Sequence, residues 1–199
     1  MKTIGLTGGI GSGKTFVSSI LEKLGFPVFN SDQVAQILMN EDKDIREHLS
    51  SYFGANCYLD GRLNRGWLAE ILFNDPMARK FVNRVVHPRV QNQFKEFCAQ
   101  NASPFVFNES AILFETGAYK NFDLMALVTA STTDKIQRIM ERNGLSKEAI
   151  EKRMNSQWDD QEKIPLADFV IHNDGQPLLI QIEQMLDLFN NQSCIEVQK

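Results

Sequence analysis

Gly8, Gly13, Lys14 and Thr15 satisfy the spacing G-x-x-x-x-G-K-[ST] inside the stretch LTGGIGSGKTF, residues 6–16. Gly9 and Gly11 add two further glycines to the same loop. Glycine reaches positive φ freely and places no Cβ in the way, so successive backbone N–H groups can curl around an anion. The chemistry implied is phosphate binding. Gly9, Gly11, Ser12 and Gly13 form the cradle, Lys14 brings a point charge to the β- and γ-phosphates, and the Thr15 hydroxyl is placed to ligate Mg²⁺. The flanks agree with this reading. KTIGL before the loop predicts a short buried strand, and FVSSILEKLG after it repeats apolar residues at Val17, Ile20, Leu21 and Leu24 before stopping at Gly25. A helix that starts there adds its positive end to the anion site.

Phosphoryl transfer also asks for a group that handles the acceptor's proton. Asp32 closes the run PVFNSD (27–32), the second predicted strand, and is expected near Lys14 as the general base. The same residue also suits the N-cap of a helix beginning in QVAQIL. Glu109 ends the run PFVFNES and is the candidate outer-shell carboxylate for Mg²⁺, as well as a candidate acceptor contact. Further on, STTDKIQRIMERNG opens with Ser131-x-x-Asp134 and ends at Gly144, and LSKEAIEKRMNSQW opens on Ser146. Arg138 and Arg142 share one face of the first of these helices, and Arg153 lies on the second. Two short helices carrying arginines read as a lid over a nucleotide, or as a solvated hairpin paired to its own Glu141, Glu148 and Glu151. His87, before Pro88, reads alone as a packed or capping histidine. Arg89 reads as a contact to an acceptor phosphate or as a surface ion pair. His48 and His172 have no partner pattern.

The elements that must position these groups follow a β/α rhythm. Five short apolar runs rich in Val, Phe, Leu and Ile, the last two LMALVTAS (124–131) and ADFVIHNDG (167–175), predict a parallel sheet covered on both faces. Their polar ends, Asp32, Asn108, Glu109 and Asn173, fall on the edge where such sheets bind ligands. Between Asp32 and Pro104 the rhythm gives way to helical spacing in VAQIL, WLAEILF and ARKFVNRVV, with Asn74 or Asp75 as a cap before Pro76. Phe53, Trp67, Phe73 and Phe81 are assigned to the core of that insertion rather than to a stacking platform. The expected division is a nucleotide-binding core of residues 1–32, 100–133 and 166–199, an acceptor-binding helical subdomain of 33–99, and a lid of 134–165.

The 199 residues carry a formal net charge of −4 and are 43% hydrophobic, an ordinary globular composition that argues against a general nucleic-acid or membrane-surface role. No run approaches a membrane span, and the glycine loop begins too early to follow a signal peptide. Cys57, Cys98 and Cys194 lack metal or redox spacing and read as reduced thiols, so the cytoplasm is the expected compartment. The polar stretch after Phe189, NNQSCIEVQK, is expected to fray. Oligomeric state is left open.

On residue chemistry alone the chain reads as a P-loop kinase of a small hydroxylated metabolite. Nucleoside, nucleotide and sugar kinases stay open as alternatives, as does a nucleotide-binding regulatory module without turnover. A GTPase fits badly, because the Asn/Thr-Lys-x-Asp guanine motif and a D-x-x-G after the third strand are absent. The ordered blocks LTGGIGSGKT, FNSDQVA, VHPRV, ESAILFETG, QRIMERNGLSKEAIEKRMNSQ and ADFVIHNDG resemble the dephospho-CoA kinase family from Ile4 to about Phe189. The resemblance implies a three-layer α/β P-loop kinase core with a five-stranded parallel sheet, an inserted helical CoA domain and a small lid. It implies ATP-dependent phosphorylation of the ribose 3′-hydroxyl of dephospho-coenzyme A, with Mg²⁺. Asp32 then falls on the general base, Lys14 and Thr15 on phosphate and metal contacts, and Arg142 on a lid arginine reaching the transferring phosphate. His87 and Arg89 fall in the acceptor-binding subdomain, and Asn173 borders the adenine, with Arg138 beside the nucleotide. The chain departs from the family's D-A-D at Asn30-Ser31-Asp32, and from D-x-P-L-L-F-E at Glu109-Ser110-Ala111-Ile112-Leu113-Phe114-Glu115.

Overall fold

The computed structural model describes residues 1–144 and 146–196. They divide into two compact units, one formed by Met1–Phe29 with the chain from Asn101 onward, the other by Asn30–Gln100. The first unit is built on a five-stranded parallel sheet of β1 (Lys2–Thr7), β2 (Val28–Asn30), β5 (Phe105–Glu109), β6 (Leu124–Thr129) and β7 (Phe169–His172), in the order β2-β5-β1-β6-β7. β1 pairs in parallel with β5, from Lys2 opposite Phe105 to Leu6 opposite Glu109, and with β6, from Ile4 opposite Leu124 to Thr7 opposite Leu127. The chain lays strands on one side of β1 and then crosses to the other, so β1 is the topological switch point where open α/β sheets bind ligands.

Side-chain alternation explains the layers. Ile4, Leu6, Leu124, Ala126 and Val128 point to one face with Phe105, Phe107 and Ile171, and meet Val17 and Leu21 of α1 (Lys14–Lys23) and Ile182, Met185 and Phe189 of α9 (Leu178–Glu196). Met125 and Leu127 point the other way, onto Leu113 and Phe114. Between them Gly5 leaves no room for a side chain: a Cβ there would stand 2.5 Å from Met125 Sδ. α9 continues to Glu196, so helix covers most of the stretch expected to fray. The side chain of Cys194 lies outside the described residues. The two helices with the arginines are α6 (Thr132–Asn143), capped by Ser131, and α7 (Lys147–Met154), capped by Ser146; a short α8 (Asp160–Lys163) precedes β7.

The second unit contains α2 (Ser31–Glu41), α3 (Lys43–Phe53), a two-stranded antiparallel hairpin of β3 (Tyr58–Leu59) and β4 (Arg62–Leu63), α4 (Arg65–Asn74) and α5 (Pro76–Ala99). Asp75 caps α5 through Met77 and Ala78 N–H, with Pro76 in the first turn as its fixed φ favours. Ala78, Val82, Val86 and Val90 recur at every fourth position and form its buried stripe. The hairpin, two residues per strand, is too short to show a period of two and was not legible in the sequence. Tyr52 stacks on Phe81 at 3.9 Å, and Phe53 meets Trp67 and Phe81 edge-on, so these rings pack on one another.

Phe107 is fully buried in the central sheet and meets Phe26 edge-on at 5.8 Å. Phe107→Ala is expected to cost about 3–5 kcal/mol, read as a lower denaturant midpoint with an unchanged m-value.

Candidate active site

The glycine loop joins the carboxyl end of β1 to α1. Gly13 stands at the N-cap with φ 93°, a left-handed conformation that favours glycine, and a Cβ on it would collide with Asn173 Nδ2 at 2.1 Å. Among the described residues, α1 alone of the helices α1 to α8 has no side-chain hydrogen bond at its N-cap. The others are closed by Asn30, Asp42, Asn64, Asp75, Ser131, Ser146 and Asp159. Helix N-termini leave their first N–H groups without intrahelical partners, and here the sequence supplies a bare loop and a lysine in place of a cap. Lys14 Nζ donates to Gly8 O at 2.7 Å and lies 3.5 Å from Gly9 O, so its charge is folded over the loop. Ser12 is fully buried and its hydroxyl has no hydrogen-bond partner.

Glu109, at the end of β5, is buried and receives two hydroxyls from α1: Thr15 Oγ1 at 2.9 Å and Ser18 Oγ at 2.9 Å. The register of β1 with β5 sets this up, since Leu6, next to the loop, lies opposite Glu109. The carboxylate therefore stands behind Thr15. Asn173 Nδ2 donates to Ser12 O at 2.9 Å, while Arg138 Nη2 donates to Asn173 O at 2.6 Å and Nη1 reaches Gly11 O and Ser12 O at 3.5 Å. Arg138 is thus committed to backbone carbonyls around the loop. Arg142, one turn later, is exposed. Within the two arginine-bearing helices Glu141 accepts from Gln137, and Glu151 pairs with Lys147.

Sequence reasoning missed a group of charged residues behind the loop. Lys163 is fully buried and forms an ion pair with Glu115, Nζ to Oε1 at 2.7 Å, while Glu115 Oε2 is buried without a hydrogen-bond partner. Lys135, also buried, pairs with Asp160. No spacing rule marks such residues, because Lys and Asp in polar segments read as solvent-facing. Burying a charge is expensive unless it is paired, so both lysines must be held by their acids.

In the helical unit, Asp32 lies in the first turn of α2 and does not cap it. Asn30 does, accepting Gln33 N–H at 2.9 Å. This corrects the capping alternative for Asp32 and explains the tolerated departure at Asn30, since Asn and Asp cap equally well. His87 lies within α5, one residue before Pro88, so the helix continues through a residue that lacks a backbone donor. Burial holds the His87 imidazole below its ordinary value, opposed by the nearby negative charge of Asp32. Arg89 Nη2 pairs with Asp44 at 2.5 Å, and Nε lies 3.8 Å from Asp42. A cavity of about 350 Å³ in this unit is lined by residues that include His48, Phe81, Arg84 and Arg89.

The His87 shift has a definite sign. The folded chain resists protonation more than the unfolded chain, so its stability is intact above the ordinary value of 6.5 and falls as pH drops below it. Between about pH 7.5 and about pH 5.5 the Tm of the wild type is expected to fall more than that of His87→Gln; parallel curves in a thermal melt series would remove His87 as the source.

The family model CoaE, dephospho-CoA kinase, matches residues 2–178. The dephospho-CoA kinase of Bacteroides fragilis is 38% identical over 185 residues, which cover 92% of this chain and 90% of that one. Among solved structures, TT1252 from Thermus thermophilus aligns with a TM-score of 0.82 at 32% identity, over 96% of this chain and 97% of that one. The dephospho-CoA kinase from Campylobacter jejuni aligns with a TM-score of 0.63 at 26% identity, over 98% of both chains. Together with a phosphate loop at the switch point of a parallel sheet, a match of this extent means that the chain belongs to the dephospho-CoA kinase family.

Proposed function

We propose that this protein transfers the γ-phosphoryl group of ATP to the ribose 3′-hydroxyl of dephospho-coenzyme A, giving coenzyme A and ADP. The observation that carries the reading is the uncapped N-terminus of α1 behind a glycine loop, with Lys14 folded over it and Thr15 tied to Glu109. Those N–H groups and Lys14 stabilise the charge on the phosphates, which is most of what catalysis of this reaction requires. Asp32 takes the proton from the 3′-hydroxyl as that oxygen bonds to phosphorus. Arg142 meets the transferring phosphate, Arg138 and Asn173 shape the nucleotide's end of the loop, and His87 and Arg89 serve the acceptor.

The donor set at Thr15 and Glu109 is all oxygen, the kind Mg²⁺ takes. The described residues contain no group of three or more His, Cys, Asp or Glu side chains that would cage a metal. Thr15, backed by Glu109, would therefore hold the ion together with the nucleotide. When bound, Mg²⁺ neutralises charge on the β- and γ-phosphates. Among the described residues no helix is long and apolar enough to cross a membrane. With two buried free thiols, Cys57 and Cys98, this supports assignment to the cytoplasm.

The test is ADP release from Mg²⁺-ATP with and without dephospho-CoA, with the mass of the acceptor product determined. Stoichiometric ADP and an acceptor heavier by one phosphate are expected; turnover with other alcohols but not with dephospho-CoA would assign the loop to a different kinase. Asp32→Asn is expected to abolish transfer while ATP affinity stays within about a few-fold. Lys14→Ala is expected to lower kcat by about a hundredfold or more, from lost charge stabilisation of the moving phosphate.

A further inference from the structure

The segment that leaves α7 and enters α8 touches the phosphate loop from behind. Gln157 Oε1 accepts the Ile10 N–H at 2.8 Å. One residue on, Trp158 N–H donates to Glu115 Oε1 at 3.2 Å, the oxygen that also faces Lys163. Asp160 then pairs with the buried Lys135 of α6. The first and last of these contacts meet near Gly9: a Cβ on that glycine would lie 3.6 Å from Gln157 Oε1, 3.7 Å from Asp160 Oδ1 and 3.7 Å from Lys135 Nζ. At Gly11 the helix itself presses on the loop, since a Cβ there would stand 2.6 Å from the Lys135 carbonyl oxygen.

Ile10 lies inside the G-x-x-x-x-G-K-T stretch, so the direction of its N–H fixes the direction of the peptide between Gly9 and Ile10. A glycine-rich loop has unusual backbone freedom and loses it on binding an anion. An acceptor that holds one peptide in advance removes part of that ordering cost, and binding then requires less rearrangement. Gln157 is suited to this: a neutral amide oxygen accepts the N–H without setting a negative charge beside the phosphates. The acid in the same cluster, Asp160, is neutralised by Lys135.

We propose that Gln157 is a positioning residue for nucleotide binding, holding the Ile10 peptide so that the loop is formed before ATP arrives, with the Lys135–Asp160 pair keeping its segment in place. The inference rests on the reading of the loop as an ATP site and adds a residue to it. It separates from a purely structural tie because it acts on ATP and not on the acceptor.

The experiment compares wild type, Gln157→Met and Gln157→Asn by equilibrium titration with ATP, by KM for ATP and for dephospho-CoA, and by thermal melting. Methionine keeps the length and loses the acceptor; asparagine keeps the amide and withdraws it by one methylene. Loss of one hydrogen bond predicts an ATP Kd and KM raised about 5- to 20-fold in both variants. The acceptor KM should stay within about twofold. Lys135→Met should raise the ATP Kd in the same direction, and its effect should combine less than multiplicatively with Gln157→Met. An ATP Kd unchanged in both Gln157 variants, with only a lowered Tm, would reduce the contact to a structural tie and overturn the proposal. Equal losses for ATP and acceptor would overturn it as well. The titration needs no turnover, so a wild type that binds ATP but phosphorylates no dephospho-CoA defeats the functional reading while the Kd comparison still decides on Gln157. A wild type that binds no ATP overturns both.

Discussion

A helix that begins without a cap must find its partners elsewhere, and this constraint organises the core unit. The first N–H groups of α1 are presented by a loop bare enough to wrap an anion, at the one strand where the sheet reverses its order. Every neighbour of the loop serves that exposure. Asn173 and Arg138 occupy the carbonyls of Gly11, Ser12 and Asn173 itself, so the backbone acceptors face protein donors. Glu109 collects the hydroxyls of Thr15 and Ser18 from beneath the helix. Dipoles and charges held in place by neighbours in this way are the means by which an enzyme site stabilises transferring charge without reorganising at the moment of reaction.

The second feature is the amount of buried charge behind the loop. Lys163 and Lys135 are both withdrawn from water, each against one acid. Pairs of this kind seldom add net stability compared with apolar packing, but removing one partner leaves a buried charge and costs several kcal/mol, about 3–5 in measured cases. They therefore hold a geometry more than they stabilise the chain. Here the geometry held is that of the segment running from Gln157 to Lys163, which links the arginine-bearing helices to β7 and touches the loop on the way.

The helical unit follows a different logic. Its helices are capped by Asn30, Asp42, Asn64 and Asp75, and its long α5 buries a four-residue stripe of small apolar side chains. Asn30, not Asp32, caps α2. Burial lowers the pKa of His87, and the nearby charge of Asp32 opposes that shift.

The sequence by itself determined the phosphate loop, the five strands, the caps at Ser131 and Ser146, and the family; it narrowed the α5 cap to Asn74 or Asp75, and the structure shows Asp75. These depend on local spacing, on the conformational freedom of glycine and on apolar periodicity, all of which are properties of neighbouring residues along the chain. Tertiary structure decided the rest. That Asn30 and not Asp32 caps α2 depended on where a three-residue strand ends. That VHPRV lies within a helix depended on packing strong enough to override a proline. The meeting of Glu109 with Thr15 and Ser18 required the register of two strands about a hundred residues apart in the chain. The roles of Gln157, Lys135, Asp160 and Lys163 were not legible, because a polar side chain acquires its role from what the fold brings against it, and no local pattern encodes a contact across 147 residues.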